Sequence, residues 1–309
     1  MAGLVIVGAG PIGTLGAEAA LEDGVVDGVI AVVDPDERAR RELVAATGAP
    51  GYASTVELPR ATPGDVALVA FASSAEKVSP EIIRLVSAGY DVVTTCEGLA
   101  WAPRHIWDAM HTSARSDGRT IIVTGTNPGF VMDRLPLLVA GASRKITRIH
   151  VERHLDTSGR RPSLVAKSGR GLSEAEFQEA VADGRVGAKG LDSSARLIAR
   201  GLEWPYRDVF VRIDPIMDNG HVAGAHHSAR LSAGEGREIV LDLVMSWGLE
   251  ETFDRITIDG TPPIVMETIA GFPGDEGTAA QVVGAMRRMS TLAAGFYRPT
   301  DIPLRYGVS

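Results

Sequence analysis

The sequence predicts an α/β protein: a doubly wound parallel sheet, then a second α+β domain built on a mixed or antiparallel sheet. Three observations carry this. Over the first third, short apolar runs alternate with helical segments, as parallel strands covered on both faces do. After about residue 145 the runs change to apolar–polar alternation, the pattern of half-buried strands. A closing segment, 278–304, opens at helical period and is expected to return to the first domain. The expected division is residues 1–135, completed by about 278–309, and a second domain at 136–277.

Taken in order, "LVIVGAG" (4–10) is an apolar strand closed by glycines, and "PIGTLGAEAALED" (11–23) a helix. "GVIAVVDPD" (28–36) is a second buried strand, and "ERARRELVAATG" (37–48) a helix stopped by Gly48. Strands at 65–74, 90–97 and 119–129 alternate with helices at 79–89 and 103–118. In the second domain, alternating strands are read at 146–155, 209–217, 226–233 and 237–247, with helices at 173–184 and 191–202.

Composition narrows the function. With 45% hydrophobic residues in 309, the chain builds a full core, and its net charge of −8 argues against nucleic acid or an anionic membrane as partner. The lone Cys96 excludes an intramolecular disulfide and a cysteine zinc site and reads as a reducing, cytoplasmic setting. No basic leader and no run of about 18 apolar residues is visible, so neither secretion nor a membrane span is expected.

"GAGPIG" places Gly8, Gly10 and Gly13 directly after a strand and at the start of a helix. Glycines there allow a tight turn, close backbone approach to a pyrophosphate and close helix packing, while the helix N-terminus faces the anion. Asp34 ends the next strand, 21 residues beyond Gly13, where an acid bonds a ribose 2′-hydroxyl. The first domain is therefore a Rossmann-type dinucleotide site. Pro11 and Ile12 lie inside its turn, and Ala72 and Ser73 at the tip of the 65–74 strand are assigned to the same edge. Asp34 repels a 2′-phosphate and favours NAD(H). Arg38, with Arg40 and Arg41 just beyond, leaves NADP(H) open.

The strand at 90–97 is about the fifth, and ligands sit at carboxyl ends of such strands. Thr95 and Cys96 then border the nicotinamide side, and Glu97 stands in front of it. A carboxylate desolvated beside aromatic surface suits general acid–base work. Spacing alone leaves Glu97 open between that role and an exposed loop acid.

"VVTTCEGLAWAP" (92–103), "GTNPGFVMDRLPLL" (125–138), "KSGRGLSEAEF" (167–177) and the tail "TAAQVV…DIPL" resemble the family of 2,4-diaminopentanoate dehydrogenases and native amine dehydrogenases. These share an amino-terminal domain type with dihydrodipicolinate reductase, and the resemblance spans nearly the whole chain. It implies that Glu97 is the catalytic acid–base, handling protons during exchange of ammonia and carbonyl while hydride passes to or from the nicotinamide. It also supports Asn127 as a partner of the nicotinamide carboxamide or of the substrate, where Asn-Pro-Gly by itself is turn chemistry. The expected substrate is a small amine, or a ketone or aldehyde with ammonia. Plain C=O or C=N reduction without ammonia, 2,4-diaminopentanoate dehydrogenation proper and a dinucleotide sensor are the alternatives.

The chain departs from dihydrodipicolinate reductases in "VERHLDTSGRR" (151–161), which has one histidine, His154, no lysine and no Ser-Gly-Thr. Asp156, Arg160, Arg161 and Lys167 are open between a carboxylate site and a solvated loop. Trp101, Phe130, Met132, Phe177 and Trp204, with Tyr206, could line an apolar pocket, although aromatics are more often core. His226 and His227 face opposite sides of a strand and cannot chelate together. No metal is expected at His221, and Cys96 reads as a packing residue. One face of the 209–247 sheet lacks an evident helical cover, which, with the resemblance, predicts a homodimer through the second domain.

Overall fold

The computed structural model describes residues 2–303, so the end of the expected tail, 304–309, lies outside the described residues. The chain divides into two compact units: one from the start to Phe130 together with Pro273 onward, the other Val131–Phe272.

The first unit contains β1 (Gly3–Val7), α1 (Pro11–Glu22), β2 (Gly28–Val33), α2 (Glu37–Thr47), β3 (Gly51–Tyr52), β4 (Val66–Val69), α3 (Ala75–Ser87), β5 (Asp91–Thr94), α4 (Arg104–Ser116) and β6 (Thr120–Val123). Its sheet has the order β13-β6-β5-β4-β1-β2-β3, every pair parallel, where β13 is a late strand. Leu4, Ile6, Val32, Leu68, Val93 and Ile122 form one buried cluster with Ala17 and Ala20 of α1. α1 lies close because its inner face is small: a Cβ on Gly16 would stand 2.9 Å from Leu68 Cδ2. The strand order reverses beside β1, which puts a ligand crevice at the carboxyl ends of β1 and β4.

The second unit contains α5 (Arg134–Ala140), β7 (Arg144–Asp156), α6 (Pro162–Lys167), α7 (Glu174–Ala182), α8 (Leu191–Gly201), β8 (Val209–Asp218), β9 (His221–Ser232), β10 (Glu238–Ser246), β11 (Phe253–Thr261) and β12 (Ile264–Ile269). Its sheet runs β12-β11-β7-β10-β9-β8. It is mixed: β7 and β10 pair parallel and the other pairs antiparallel. On one face Ile149, Val151, Ala229, Ile239, Leu241, Leu243 and Ile256 are fully or almost fully buried, with α8 packed on β8, β9 and β10. The opposite face carries a polar central row. Its register sets Arg212, Ser228, Asp242, Glu152, Arg255 and Glu267 in one row across all six strands. Asp242 accepts from both His150 Nε2 and His226 Nε2 at 2.8 Å. At the last residue of this unit, buried Arg153 donates from Nη1 to both carboxylate oxygens of Asp254 (3.0 and 3.1 Å) and from Nη2 to the Phe272 carbonyl at 2.7 Å.

The chain then returns to the first unit as α9 (Gly274–Met289) and β13 (Gly295–Tyr297). Val282, Val283 and Met286 of α9 join the core against α1. Thr126 Oγ1 donates to the Gly274 carbonyl at 2.8 Å, and Thr126 N–H donates to Thr278 Oγ1 at 3.3 Å.

Several sequence expectations need correction. β11, β12, β13 and the short helices α5 and α6 were not anticipated; β9 starts at His221 rather than 226, and α9 at Gly274 rather than 278. The strand expected at 119–129 ends at Val123, where the chain leaves the ladder to make the turn at Thr126–Phe130.

Candidate active site on the dinucleotide edge

Because all strands of the first sheet are parallel, their carboxyl ends share one edge. A chain of backbone bonds runs across it: Ala70 N–H to Val7 O, Thr95 N–H to Val69 O, and Thr124 N–H to Thr94 O. The turns after β1, β4, β5 and β6 are thereby set side by side at about 4.8 Å per strand.

The turn after β1 holds the three glycines. Gly8 has φ 106°, and a Cβ there would lie 2.9 Å from backbone atoms of Ala70 and Phe71. A Cβ on Gly13 would lie 2.1 Å from the Gly8 carbonyl oxygen. Both are required by the fold. Gly10 is different, for a Cβ there meets nothing within 4 Å. Its bareness serves no protein neighbour and leaves the face of the turn open. Gly10 is also the N-cap of α1 and supplies no side-chain cap, whereas Asp36, Ser74 and Ser173 cap α2, α3 and α7. Pro11 occupies the first helical position. The orphan amides of the first turn are thus presented to an anion. These residues fit the diphosphate of a dinucleotide.

Asp34 follows β2 and is fastened to the glycine turn: its carboxylate accepts from Ala9 N–H at 2.7 Å and from Asp36 N–H at 2.8 Å. Arg38 points outward and pairs with Glu42 at 2.9 Å. The arginine against Asp34 is instead Arg40, whose Nη1 donates to the Asp34 carbonyl at 2.5 Å. Asp36 as N-cap fixes the phase of α2 and turns Arg40 inward. That cap, legible as Asp34-Pro35-Asp36, was the signal that could have separated the two.

Ala72 and Ser73 follow β4, both half-buried. Thr95 is half-buried and Cys96 buried, its N–H bonded to Thr94 Oγ1 at 3.2 Å. Burial pushes the Cys96 thiol up to about 12, which leaves it an inert packing residue. Glu97 opens a single 3-10 turn, Glu97–Leu99, and is half-exposed. The next residue pins this turn: Gly98 N–H donates to the Ser73 carbonyl at 3.0 Å. A Cβ on Gly98 would stand 2.7 Å from that oxygen and 2.9 Å from Ala75 N. Nothing larger than glycine fits between the β4 and β5 turns, so Glu97 is held two strands from the glycine turn, roughly 10 Å. Neither Gly98 nor its clasp on Ser73 was anticipated.

Asn127 follows β6, half-buried, and its Oδ1 is buried with no hydrogen-bond partner among the described residues. A buried acceptor left open costs about 1–3 kcal/mol, so this oxygen is free to accept one further donor. Trp101 lies under the Arg298 guanidinium, 5.0 Å from its ring centre. Phe130 is half-buried.

The rest of the apolar set needs correction. Met132 and Phe177 are fully buried, and Phe177 packs with Ala180, Val186, Val222 and Ala225 in a core of its own. Trp204 is 8% exposed, with Arg237 over its ring. These three are core, not pocket lining. Of the polar candidates, Asp156 is held by Ser158 and Gly248 N–H groups, each 2.9 Å, and His154 is stacked on Phe253 at 4.2 Å. Among the described residues, no group of His, Cys, Asp and Glu is arranged to hold a metal ion, and no helix is long and apolar enough to cross a membrane.

Comparison with known proteins follows this geometry. The family model for the 2,4-diaminopentanoate dehydrogenase C-terminal domain matches residues 130–308. The 2,4-diaminopentanoate dehydrogenase of Acetoanaerobium sticklandii is 24% identical over 261 residues, 78% of this chain and 74% of that protein. Among solved structures, the amine dehydrogenase from Mycobacterium smegmatis superposes with a TM-score of 0.86 at 17% identity, over 99% of this chain and 97% of that one. The WlbA dehydrogenase from Bordetella pertussis, in complex with NADH and UDP-GlcNAcA, gives 0.60 at 16% identity, over 93% and 88%. At these identities the structural likeness is one of fold.

Proposed function

From the premise that this chain belongs to the 2,4-diaminopentanoate dehydrogenase family, which its match at 130–308 establishes, we propose that it is an NAD(P)-dependent amine dehydrogenase. It deaminates an amine oxidatively and, in reverse, aminates a ketone or aldehyde with ammonia. The observation that carries this is Glu97, clasped by Gly98 to the β4 turn on the same strand edge as the bare glycine cradle.

The glycine turn and the first amides of α1 hold the diphosphate, Asp34 takes the adenosine ribose, and Asn127 Oδ1 receives the carboxamide. NAD(H) is favoured, because Asp34 opposes a 2′-phosphate and Arg38 and Arg40 are both engaged within the chain. The bound dinucleotide supplies the hydride acceptor or donor. Glu97 moves the protons. It takes one from ammonium, so that free ammonia attacks the carbonyl, and returns it to the hydroxyl that leaves the carbinolamine as water. Its charge stabilises the cationic iminium. Glutamine keeps shape but loses base and charge. Glu97→Gln should therefore retain NADH affinity and lose ammonium-dependent NADH oxidation by on the order of 10²-fold. Lost NADH binding would make Glu97 structural. Full turnover without ammonium would replace amination with plain carbonyl reduction.

We also propose a cytoplasmic homodimer formed through the polar face of the second sheet. Six strands at about 4.8 Å and roughly ten residues at 3.3 Å give about 950 Å², the size of one side of a standard interface. That face carries both acids and bases, with Arg212 and Arg255 beside Asp242, Glu152 and Glu267 in one row, and Phe210 and Ile269, 73% and 96% exposed, lie on its edge strands. Light scattering that returns 32.6 kDa at micromolar concentration would exclude the dimer.

A further inference from the structure

The loop from Glu97 to α4 is closed at its far end by a stack no sequence motif announces. Trp101 ends the turn that Glu97 begins. Arg298, from the chain just after β13, places its guanidinium carbon 5.0 Å from the Trp101 ring centre and 5.3 Å from that of Trp107 on α4. Trp107 is stacked on His111 at 4.5 Å with planes 13° apart. His111 Nδ1 in turn accepts from Phe296 N–H at 3.3 Å, which ties the stack to β13. Arg298 is itself oriented from the backbone, since its N–H donates to Asp301 at 3.0 Å. The Arg298 guanidinium thus lies within cation–π reach of two indoles, one of which is stacked on His111. A planar guanidinium stacks on both rings, which an ammonium does not do equally well.

The near end of the turn is fixed by Gly98 on Ser73. The far end is fixed by Arg298 on Trp101. We propose that Arg298 is a positioning residue for Glu97: by holding Trp101 against Trp107 it sets where the carboxylate stands. This rests on the reading of Glu97 as the acid–base. Displacement of a reacting group by about 1 Å costs up to 10²-fold in rate, so the stack bears on turnover rather than on the diphosphate, whose glycine cradle follows β1, two strands from β5.

The test uses the full chain with Arg298→Met, Arg298→Lys, Trp101→Leu and the double variant Arg298→Met/Trp101→Leu, measured beside Glu97→Gln. Arg298→Met should lower kcat for ammonium-dependent NADH oxidation about ten-fold, leave the Kd of NADH within two-fold, displace the kcat–pH profile, and shift tryptophan emission to the red. Arg298→Lys, which keeps the cation but not the planar stack, should recover part of kcat. The double variant should be no slower than Trp101→Leu alone, because both act through one contact. A lowered Tm with unchanged kcat and pH profile would overturn the proposal and leave Arg298 a structural residue. Additive losses in the double variant would overturn the route through Trp101. If Glu97→Gln is inactive while Arg298→Met turns over as wild type, the positioning inference fails alone. If Glu97→Gln turns over fully, the acid–base reading fails, and Arg298 has no carboxylate to position. If Arg298→Met does not fold, Arg298→Lys supplies the same comparison.

Discussion

Gly10→Ala separates a dinucleotide cradle from a mere glycine turn. The backbone at Gly10 has φ −81° and ψ 176°, which alanine adopts without strain. Its new Cβ meets no protein atom within 4 Å. Two small effects on stability oppose each other. Alanine is the poorer N-cap, by roughly 0.5–1 kcal/mol, while loss of glycine freedom in the unfolded chain returns about 0.4–1 kcal/mol. The melting temperature should move by less than about 3 °C. The methyl, however, fills the space through which the turn approaches the diphosphate. Loss of one or two charge-assisted hydrogen bonds, at roughly 1.5–3 kcal/mol each, totals about 3 kcal/mol, or on the order of 10²-fold in Kd. Fluorescence titration with NADH measures it. Gly13→Ala is the contrast: its Cβ would lie 2.1 Å from the Gly8 oxygen, so this variant should lose the fold. A folded Gly10→Ala that binds NADH within two-fold of wild type would refute the cradle.

The other predictions concern the clasp, the ribose and a buried imidazole. Gly98→Ala must open the 2.7 Å approach to Ser73 O; it should cost about 1–3 kcal/mol in stability and depress kcat by ten-fold or more, and wild-type kcat would free Glu97 from this support. Asp34→Ala should weaken NADH more than NADPH, and Arg38→Ala should alter neither, because Arg38 is turned to Glu42; equal losses at Asp34 would mean that it serves only the Ala9 bond. His227 is 1% exposed, and burial, with His226 beside it, pushes its pKa down to about 4. The unfolded chain then takes up the proton first as pH falls, so stability is full above about 6.5 and declines toward 4, by about 2 kcal/mol between pH 7.5 and 5. His226, whose pKa is raised by its bond to Asp242, acts in the opposite sense, so urea midpoints of wild type and His227→Gln must be compared at both pH values. Parallel pH slopes would show that His227 does not contribute.

The first unit was legible because its signals are local. Strand, glycines, helix and Asp34 fall within one βαβ stretch, and Glu97 lies three residues past a buried strand that ends at Thr94. Burial was not legible from residue type: Met132 and Phe177 suit a pocket as well as a core, and for Phe177 only the packing of α7 against β9 decides. β11 and β12 were obscured by Gly260, Pro262 and Pro263, and their place depends on pairing with β7, about a hundred residues earlier. Arg298 was invisible for the same reason, since its partners lie far back in the chain.

The first unit is closed by α9, whose Arg287 reaches Asp23 at the end of α1 at 2.8 Å, 264 residues away in sequence. On the ribosome, β1 to β6 emerge with Ala17 and Ala20 of α1 uncovered. At 5–20 residues per second, translation of the second unit alone lasts on the order of 10 s. During that interval the dinucleotide half waits as an unfinished sheet with an apolar flank, while the younger unit has all its strands and can fold first. The second unit can therefore complete its sheet before the first, although it is synthesised later.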